Sequence, residues 1–266
     1  MSIITISRGS YSRGKEVAEK LAQSLGYQCL SRDILLEASE RYNIPEIKLI
    51  RAIHDAPSIL GRFSYEKETF VSYLRAALLR QVQKDNVIYH GLAGHFLLQG
   101  IPHVLKVRII ADLEDRVKEE MKREEISAEE ARRILQKDDE ERRKWSKHLY
   151  GIDTWDPSLY DLVINTKCIK VDGAVDVIKC ALKNPCFQST SETQKLVDEK
   201  SLAARVEAAL IQEVPSVEVE VKEGEVFIYL KKAQYENEEI MARVKRLTAN
   251  IVGFKGKISC LMRPYV

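Results

Sequence analysis

Seven residues near the N-terminus, Gly9-Ser10-Tyr11-Ser12-Arg13-Gly14-Lys15, constrain this chain more than any other segment. They follow the β-branched run Ile3-Ile4-Thr5-Ile6-Ser7. They precede a helical pattern in which Val17, Leu21 and Leu25 share a face with Ala18 and Ala22 beside them. Strand, glycine-bounded loop, lysine, helix is the context a phosphate-binding loop requires. The backbone N–H groups of such a loop and of the helix N-terminus form a positive concavity, and Lys15 adds a mobile charge. Glu16 stands where Ser or Thr would ordinarily ligate Mg²⁺, so an unusual metal site is expected. The competing reading is a plain βα turn carrying solvated Arg8, Arg13 and Lys15.

The rest of the first two thirds alternates strand and helix. Gly26 is a plausible helix C-cap before the short strand Tyr27-Gln28-Cys29-Leu30, and Ser31-Arg32-Asp33 leads into an apolar helix from Ile34. Residues 43 to 72 read as irregular helix broken at Pro45 and Pro57, and a longer helix covers 66 to 84. Strands are expected at Val87-Ile88-Tyr89-His90, at Val104 to Ala111 and at Asp161 to Asn165, with a charged helical stretch from Asp112 to His148. Such alternation implies an α/β fold with a parallel sheet covered by helices on both faces. Its ligand would sit at the carboxyl ends of the strands, where the loop also lies.

Charge and composition exclude several classes. The 266 residues suit one medium domain plus a satellite, and 45% apolar residues can fill a core. A net charge of +2, from 42 basic and 40 acidic residues, argues against a nucleic-acid coat. No apolar run approaches the roughly 18 residues of a spanning helix, and the N-terminus lacks a signal peptide's layout. The five cysteines are scattered without a C-x-x-C, which reduced thiols in a cytoplasmic protein explain most simply. No His, Cys or carboxylate set has zinc-site spacing, so no protein-held metal site is expected.

Five segments together carry a family resemblance. They are I-T-I-S-R-G-S-Y-S-R-G-K-E-V-A-E-K-L-A, L-S-R-D-I-L, R-I-I-A-D-L-E-D-R-V, I-S-A-E-E-A-R-R-I-L-Q-K-D-D-E-E-R and Y-D-L-V-I-N-T. In that order they resemble the cytidylate kinase-like family of P-loop nucleoside monophosphate kinases, over residues 1 to about 183. The resemblance implies a P-loop NTPase sheet with a helical lid, ATP as donor and Mg²⁺ as cofactor, and a small phosphate acceptor such as CMP or dCMP. It implies that Gly9 through Glu16 bind ATP, with Lys15 on the phosphates, and that Arg116 faces phosphate. The lid would be the stretch around Lys137 to Arg143, where Asp139 and Arg142 match substrate-handling residues. Two residues three apart on a helix share a face, so one can meet ribose hydroxyls and the other phosphate. Without the resemblance, the same stretch reads as a solvated helix pair laced with ion pairs.

The chain also departs from the family. His90-Gly91-Leu92-Ala93 occupies the place of an Asp-Gly-Arg-Asp stretch, removing an acid near the metal and an arginine for the acceptor phosphate. Ser31 takes the place of an acceptor-site Asp, with Arg32 and Asp33 adjacent. His90 and His95 are candidate proton carriers or ligands, although a histidine at a strand end is more often structural. These departures leave open a nucleotide-binding regulator with little turnover.

The C-terminal part reads as a separate unit. The expected division is a P-loop domain over 1–184, a polar linker over 185–199 and an α+β module over 200–266. The module's order is helix, strand, strand, helix, strand, with G-E-V-F-I-Y-L and I-V-G-F-K-G-K-I resembling a BON domain. That resemblance implies contact with a phospholipid, another ligand or a protein partner. The stripes Leu202/Val206/Leu210 and Val226/Ile228/Leu230 are expected to be buried against each other inside the module.

Overall fold

The computed structural model describes residues 2–10, 12–31, 33–54, 64–91, 93–215, 217–251 and 256–263. Five strands, β1 (Ile3–Arg8), β2 (Gln28–Leu30), β3 (Val87–Tyr89), β4 (Val104–Ile110) and β5 (Leu162–Asn165), form one sheet in the order β2-β3-β1-β4-β5. Every pairing in it is parallel, with Ile3 opposite Val87 on one side and Val104 on the other. The sequence alternation therefore folds as expected.

Both sheet faces are dry. Ile4, Ile6, Leu105, Val107 and Ile109 pack against Val17, Ala18 and Leu21 of α1 (Gly14–Leu25) and Val171, Ala174 and Ile178 of α8 (Thr166–Ala181). On the other face Ile3, Val87 and Val104 meet Ile34 and Ala38 of α2 (Asp33–Tyr42) and Tyr73, Leu74 and Leu78 of α4 (Ser64–Val82). Strands buried on both sides read as near-continuous apolar runs, which is why β1 was legible, while in β4 Lys106 and Arg108 interrupt the run. Gly26 closes α1 at φ 69°, and its N–H donates to the Ala22 carbonyl, a left-handed cap that glycine adopts without strain.

The remaining helices are α3 (Glu46–His54), α5 (Gly94–Leu97), α6 (Leu113–Glu124) and α7 (Ala128–Tyr150). The break expected at Pro57 lies outside the described residues. Ser127 caps α7, its hydroxyl accepting from the Glu130 N–H. α6 and α7 share a small apolar seam of Val117, Ala131 and Leu135, so the charged stretch is a packed hairpin, with Arg116 and Glu120 buried among its charges.

The C-terminal module contains α9 (Ser191–Leu210), β6 (Glu218–Lys222), β7 (Glu225–Leu230), α10 (Lys232–Tyr235), α11 (Glu238–Ala249) and β8 (Ile258–Met262). Its three strands lie in the order β6-β7-β8, with β6 antiparallel and β8 parallel to β7. Val206, Leu210, Val226, Ile228 and Leu230 share one core, as the apolar stripes suggested.

Two expectations for this region need correcting. Residues 191–199 are the first turns of α9, held by a Thr190–Thr193 capping box, not a polar linker. α9 also faces two ways. Val197, Ala204, Ala208 and Ile211 join the apolar cluster of Tyr73, Leu74 and Leu78, so part of the helix packs on the first unit. Gln83 accepts from Ser201 Oγ and donates to Asp198 at the same seam, both at 2.8 Å.

Candidate functional site

The ends of β1, β2 and β3 open onto a cavity of about 410 Å³ roofed by α7. Its lining includes Ser7, Arg8 and Gly9 from β1 and the loop, Ser31 after β2, and His90 and Gly91 after β3. Asp139, Arg142 and Trp145 of α7 complete the roof. A second cavity of about 520 Å³ adjoins it, bordered by Ser12, Arg116 and Gln136. Gly9, Arg108, Asp139 and Trp155 border both, so the two meet beside the loop.

The loop's shape follows from its residues. Arg13 takes a left-handed φ of 62° and Gly14 opens α1. A Cβ on Gly14 would stand 2.6 Å from the Arg8 Cβ, so only glycine lets the loop fold back on the strand end. Inside it, Ser12 Oγ donates to the Gly9 carbonyl at 3.0 Å, and Thr166 at the start of α8 donates to the Ser12 carbonyl at 3.3 Å. The first turn of α1 carries backbone N–H groups without helical partners, which suits an anion.

The α6–α7 hairpin is seated on this loop. Arg116 is 8% exposed; its Nε donates to the Ser10 carbonyl at 2.7 Å, and its two terminal nitrogens hold Asp139 at 2.8 and 3.0 Å. Arg142 donates to Ser10 Oγ at 2.9 Å and to the Arg8 carbonyl at 3.3 Å. Ser10 Oγ in turn donates to Asp138 at 3.2 Å. Asp139 and Arg142 therefore do share the inward face of α7, as their spacing suggested. Arg143 lies outside this cluster, pairing Asp153 at 2.7 Å and stacking over the Trp155 ring at 5.0 Å.

Several site residues stand elsewhere than expected. The Lys15 side chain is 65% exposed and pairs Glu19 one turn along α1, so it borders neither cavity. Glu16 is held at 2.9 Å by two donors of the loop's own Arg13. Arg116 borders the second cavity with its guanidinium already engaged by the Asp139 carboxylate and the Ser10 carbonyl. Asp33 accepts from the Ser31 N–H at 3.3 Å at the start of α2, and only Ser31 of that pair borders the cavity. Tyr11 and Arg32 lie outside the described residues.

Burial disqualifies the two histidines as proton carriers at neutral pH. Desolvation, with Arg8 nearby, pushes His90 down to about 4. Desolvation, with Arg108 and Lys106 nearby, pushes His95 to about 3. Both are neutral hydrogen-bonding groups there.

Sequence reading passed over Arg108, Tyr160 and Trp155. Lys106 and Arg108 alternate with buried Leu105, Val107 and Ile109 along β4. Two cations at period two on an otherwise apolar strand were the available signal. Tyr160 and Trp155 sit in the segment between α7 and β5, which has no periodicity to betray them.

Among the described residues, no helix is long and apolar enough to cross a membrane, and no group of three His, Cys, Asp or Glu could hold a metal ion.

Comparison with known proteins gives a consistent result. The Cytidylate kinase-like family matches residues 3–168. The cytidylate kinase of Methanopyrus kandleri is 36% identical over 108 residues, 38% of this chain and 56% of that protein. That of Thermococcus kodakarensis is 36% identical over 104 residues, 39% of this chain and 53% of that protein. The chain thus spans about half the length of these two relatives. The cytidylate kinase of Pyrococcus horikoshii is 26% identical over 200 residues, covering 73% of this chain and 96% of that protein. A crystal structure of an uncharacterized protein from Eubacterium ventriosum aligns with a TM-score of 0.53 at 20% identity, over 69% of this chain and 99% of that one; this likeness concerns the fold alone. The family match stops short of the C-terminal module, for which the BON resemblance remains an expectation of the sequence. The matched span holds the loop, all five parallel strands and the whole α6–α7 hairpin, and the chain belongs to the Cytidylate kinase-like family.

Proposed function

We propose that this protein transfers the γ-phosphoryl group of ATP to a small phosphate-bearing acceptor, with a nucleoside monophosphate, CMP or dCMP first, as the acceptor class to test. The observation that carries the reading is the convergence of Arg116, Asp139 and Arg142 on Ser10 of the loop, beside a cavity at the strand ends. Its relatives' names point the same way.

In this reading the loop's N–H groups hold the donor phosphates. Lys15 turns from Glu19 to join them, and Arg142 leaves the Ser10 hydroxyl for the transferring group. An acceptor phosphate oxygen attacks the γ-phosphorus, the bond to the β-phosphate oxygen breaks, and ADP leaves. Such a transition state asks for positioning and charge neutralisation, which arginines on a lid supply as it excludes water. Arg116 acts from behind, fixing the Ser10 carbonyl and the Asp139 carboxylate. Glu16 is not a metal ligand in this geometry; Mg²⁺ would arrive with the nucleotide, held largely by phosphate oxygens and water. Residues 1–184 form the catalytic unit in this reading, and 200–266 a module that α9 docks on it. A cytoplasmic location and a ligand or protein partner for the module belong to the same proposal.

ADP release coupled to a spectrophotometric readout, run against a panel of nucleoside monophosphates and other phosphorylated metabolites, tests this. The expected result is ADP formation that depends on one acceptor class. ATP turnover indifferent to every acceptor would overturn it.

A further inference from the structure

Ser7 of β1, His95 of α5 and Arg108 of β4 line the 410 Å³ cavity, and the buried Tyr160, just before β5, joins the three through its hydroxyl without lining the cavity itself. The Tyr160 hydroxyl lies 3.4 Å from Ser7 Oγ, 3.5 Å from His95 Nε2 and 3.5 Å from Arg108 Nη1. One carbonyl serves this group: that of Thr154 takes a hydrogen bond from Arg108 and another, at 3.1 Å, from Tyr160.

The cluster is rich in donors and poor in negative charge. Neighbouring cations have carboxylates: Arg116 has Asp139, Arg143 has Asp153 and Lys106 has Asp161. Among the described residues no carboxylate pairs with Arg108. A guanidinium in a partly closed cavity, matched only to a carbonyl and a phenol ring, is under-neutralised. His95 adds no competing charge, because burial keeps it neutral, and it can still offer one ring N–H. The turn after β3, where His90 and Gly91 border the cavity, brings no guanidinium of its own.

Position gives the cluster its meaning. Arg108 borders both cavities, as does Gly9, so an anion held by Arg108 stands next to the phosphate loop. Above it, Phe96, Trp145 and Trp155 supply ring surface for the rest of a ligand. We propose that Arg108, with Ser7 and His95, forms the subsite for the acceptor's own phosphate dianion, and that Tyr160 positions these three through its hydroxyl. The Thr154 carbonyl holds the guanidinium in place until the anion displaces it. The inference rests on reading this cavity as the acceptor site, and it names the chemistry that selects the acceptor: a phosphomonoester, free or on a nucleoside.

The chain's two tryptophans, Trp145 and Trp155, both border the cavity, so their fluorescence reports its occupancy. Full-length wild type, Arg108→Gln, Arg108→Lys and Tyr160→Phe are titrated with CMP, cytidine, ribose 5-phosphate, inorganic phosphate and ATP. Arg108→Gln is expected to weaken CMP and ribose 5-phosphate at least about tenfold, leaving cytidine and ATP within about twofold. Arg108→Lys should fall between, since lysine keeps charge and loses the fork. Tyr160→Phe, which keeps ring and packing, should weaken the same two ligands about threefold and serves if the Arg108 variants misfold. Ribose 5-phosphate bound through Arg108 while CMP is not would overturn the nucleotide acceptor and uphold the subsite. Phosphomonoester binding that is absent or indifferent to Arg108, or CMP and cytidine weakened alike, would overturn the subsite.

Discussion

Arg116 and Asp139 are joined by two parallel hydrogen bonds, 2.8 and 3.0 Å long, between side chains only 10% and 18% exposed. The third guanidinium bond, to the Ser10 carbonyl, ties the hairpin to the phosphate loop. A mostly buried ion pair adds little net stability over an apolar pair, but losing one partner strands the other charge. Asp139→Ala should therefore cost about 3 kcal/mol in urea unfolding and weaken ATP binding as the loop loosens. Wild-type stability in that variant would contradict the latch.

Lys15→Ala should leave stability nearly untouched, because the lysine is 65% exposed and its Glu19 partner lies at 3.6 Å. ATP affinity by calorimetry should nevertheless fall about 10- to 100-fold, the value of a charge-assisted phosphate contact. Unchanged affinity in the folded variant would remove Lys15 from the site.

Arg142 reaches Ser10 Oγ and the Arg8 carbonyl with separate terminal nitrogens. Lysine keeps the charge but has no such fork, so Arg142→Lys should lower kcat at saturating substrate by about tenfold or more. Full turnover would make this part of α7 an ordinary packed helix.

His90 is 6% exposed with its folded pKa pushed down to about 4, below the usual histidine value near 6.5. Between those two values the unfolded chain binds the proton and the folded chain does not. The stabilising contribution is therefore complete above pH about 6.5 and is lost as pH falls toward 4, at up to about 1.4 kcal/mol per pH unit. His90→Asn should flatten the unfolding free energy over that window, and an unaltered slope would refute the assignment.

Residues 1–185 alone should aggregate or unfold readily. Truncation uncovers the surface of α4 that buries Val197, Ala204, Ala208 and Ile211, worth roughly 5 kcal/mol by area. A soluble fragment with wild-type Tm would mean the α4–α9 seam contributes little.

Local signals in the sequence determined the glycine-bounded loop after β1 and the parallel sheet. Burial on both faces demands apolar strands such as Ile3–Ile6, and the sharp return past Arg8 demands glycine at position 14. The shared inward face of Asp139 and Arg142 was legible because helical spacing alone sets it. Tertiary structure decided that Arg116 engages a carboxylate, Asp139, 23 residues away on the neighbouring helix, whereas the Lys15–Glu19 pair is a local i,i+4 contact within α1. It alone assembled Ser7, His95, Arg108 and Tyr160, since no periodicity links residues brought together by strand order. It also gave α9 two masters. A helical stripe states that a face will be buried, while the core that buries it depends on where the preceding chain has already folded.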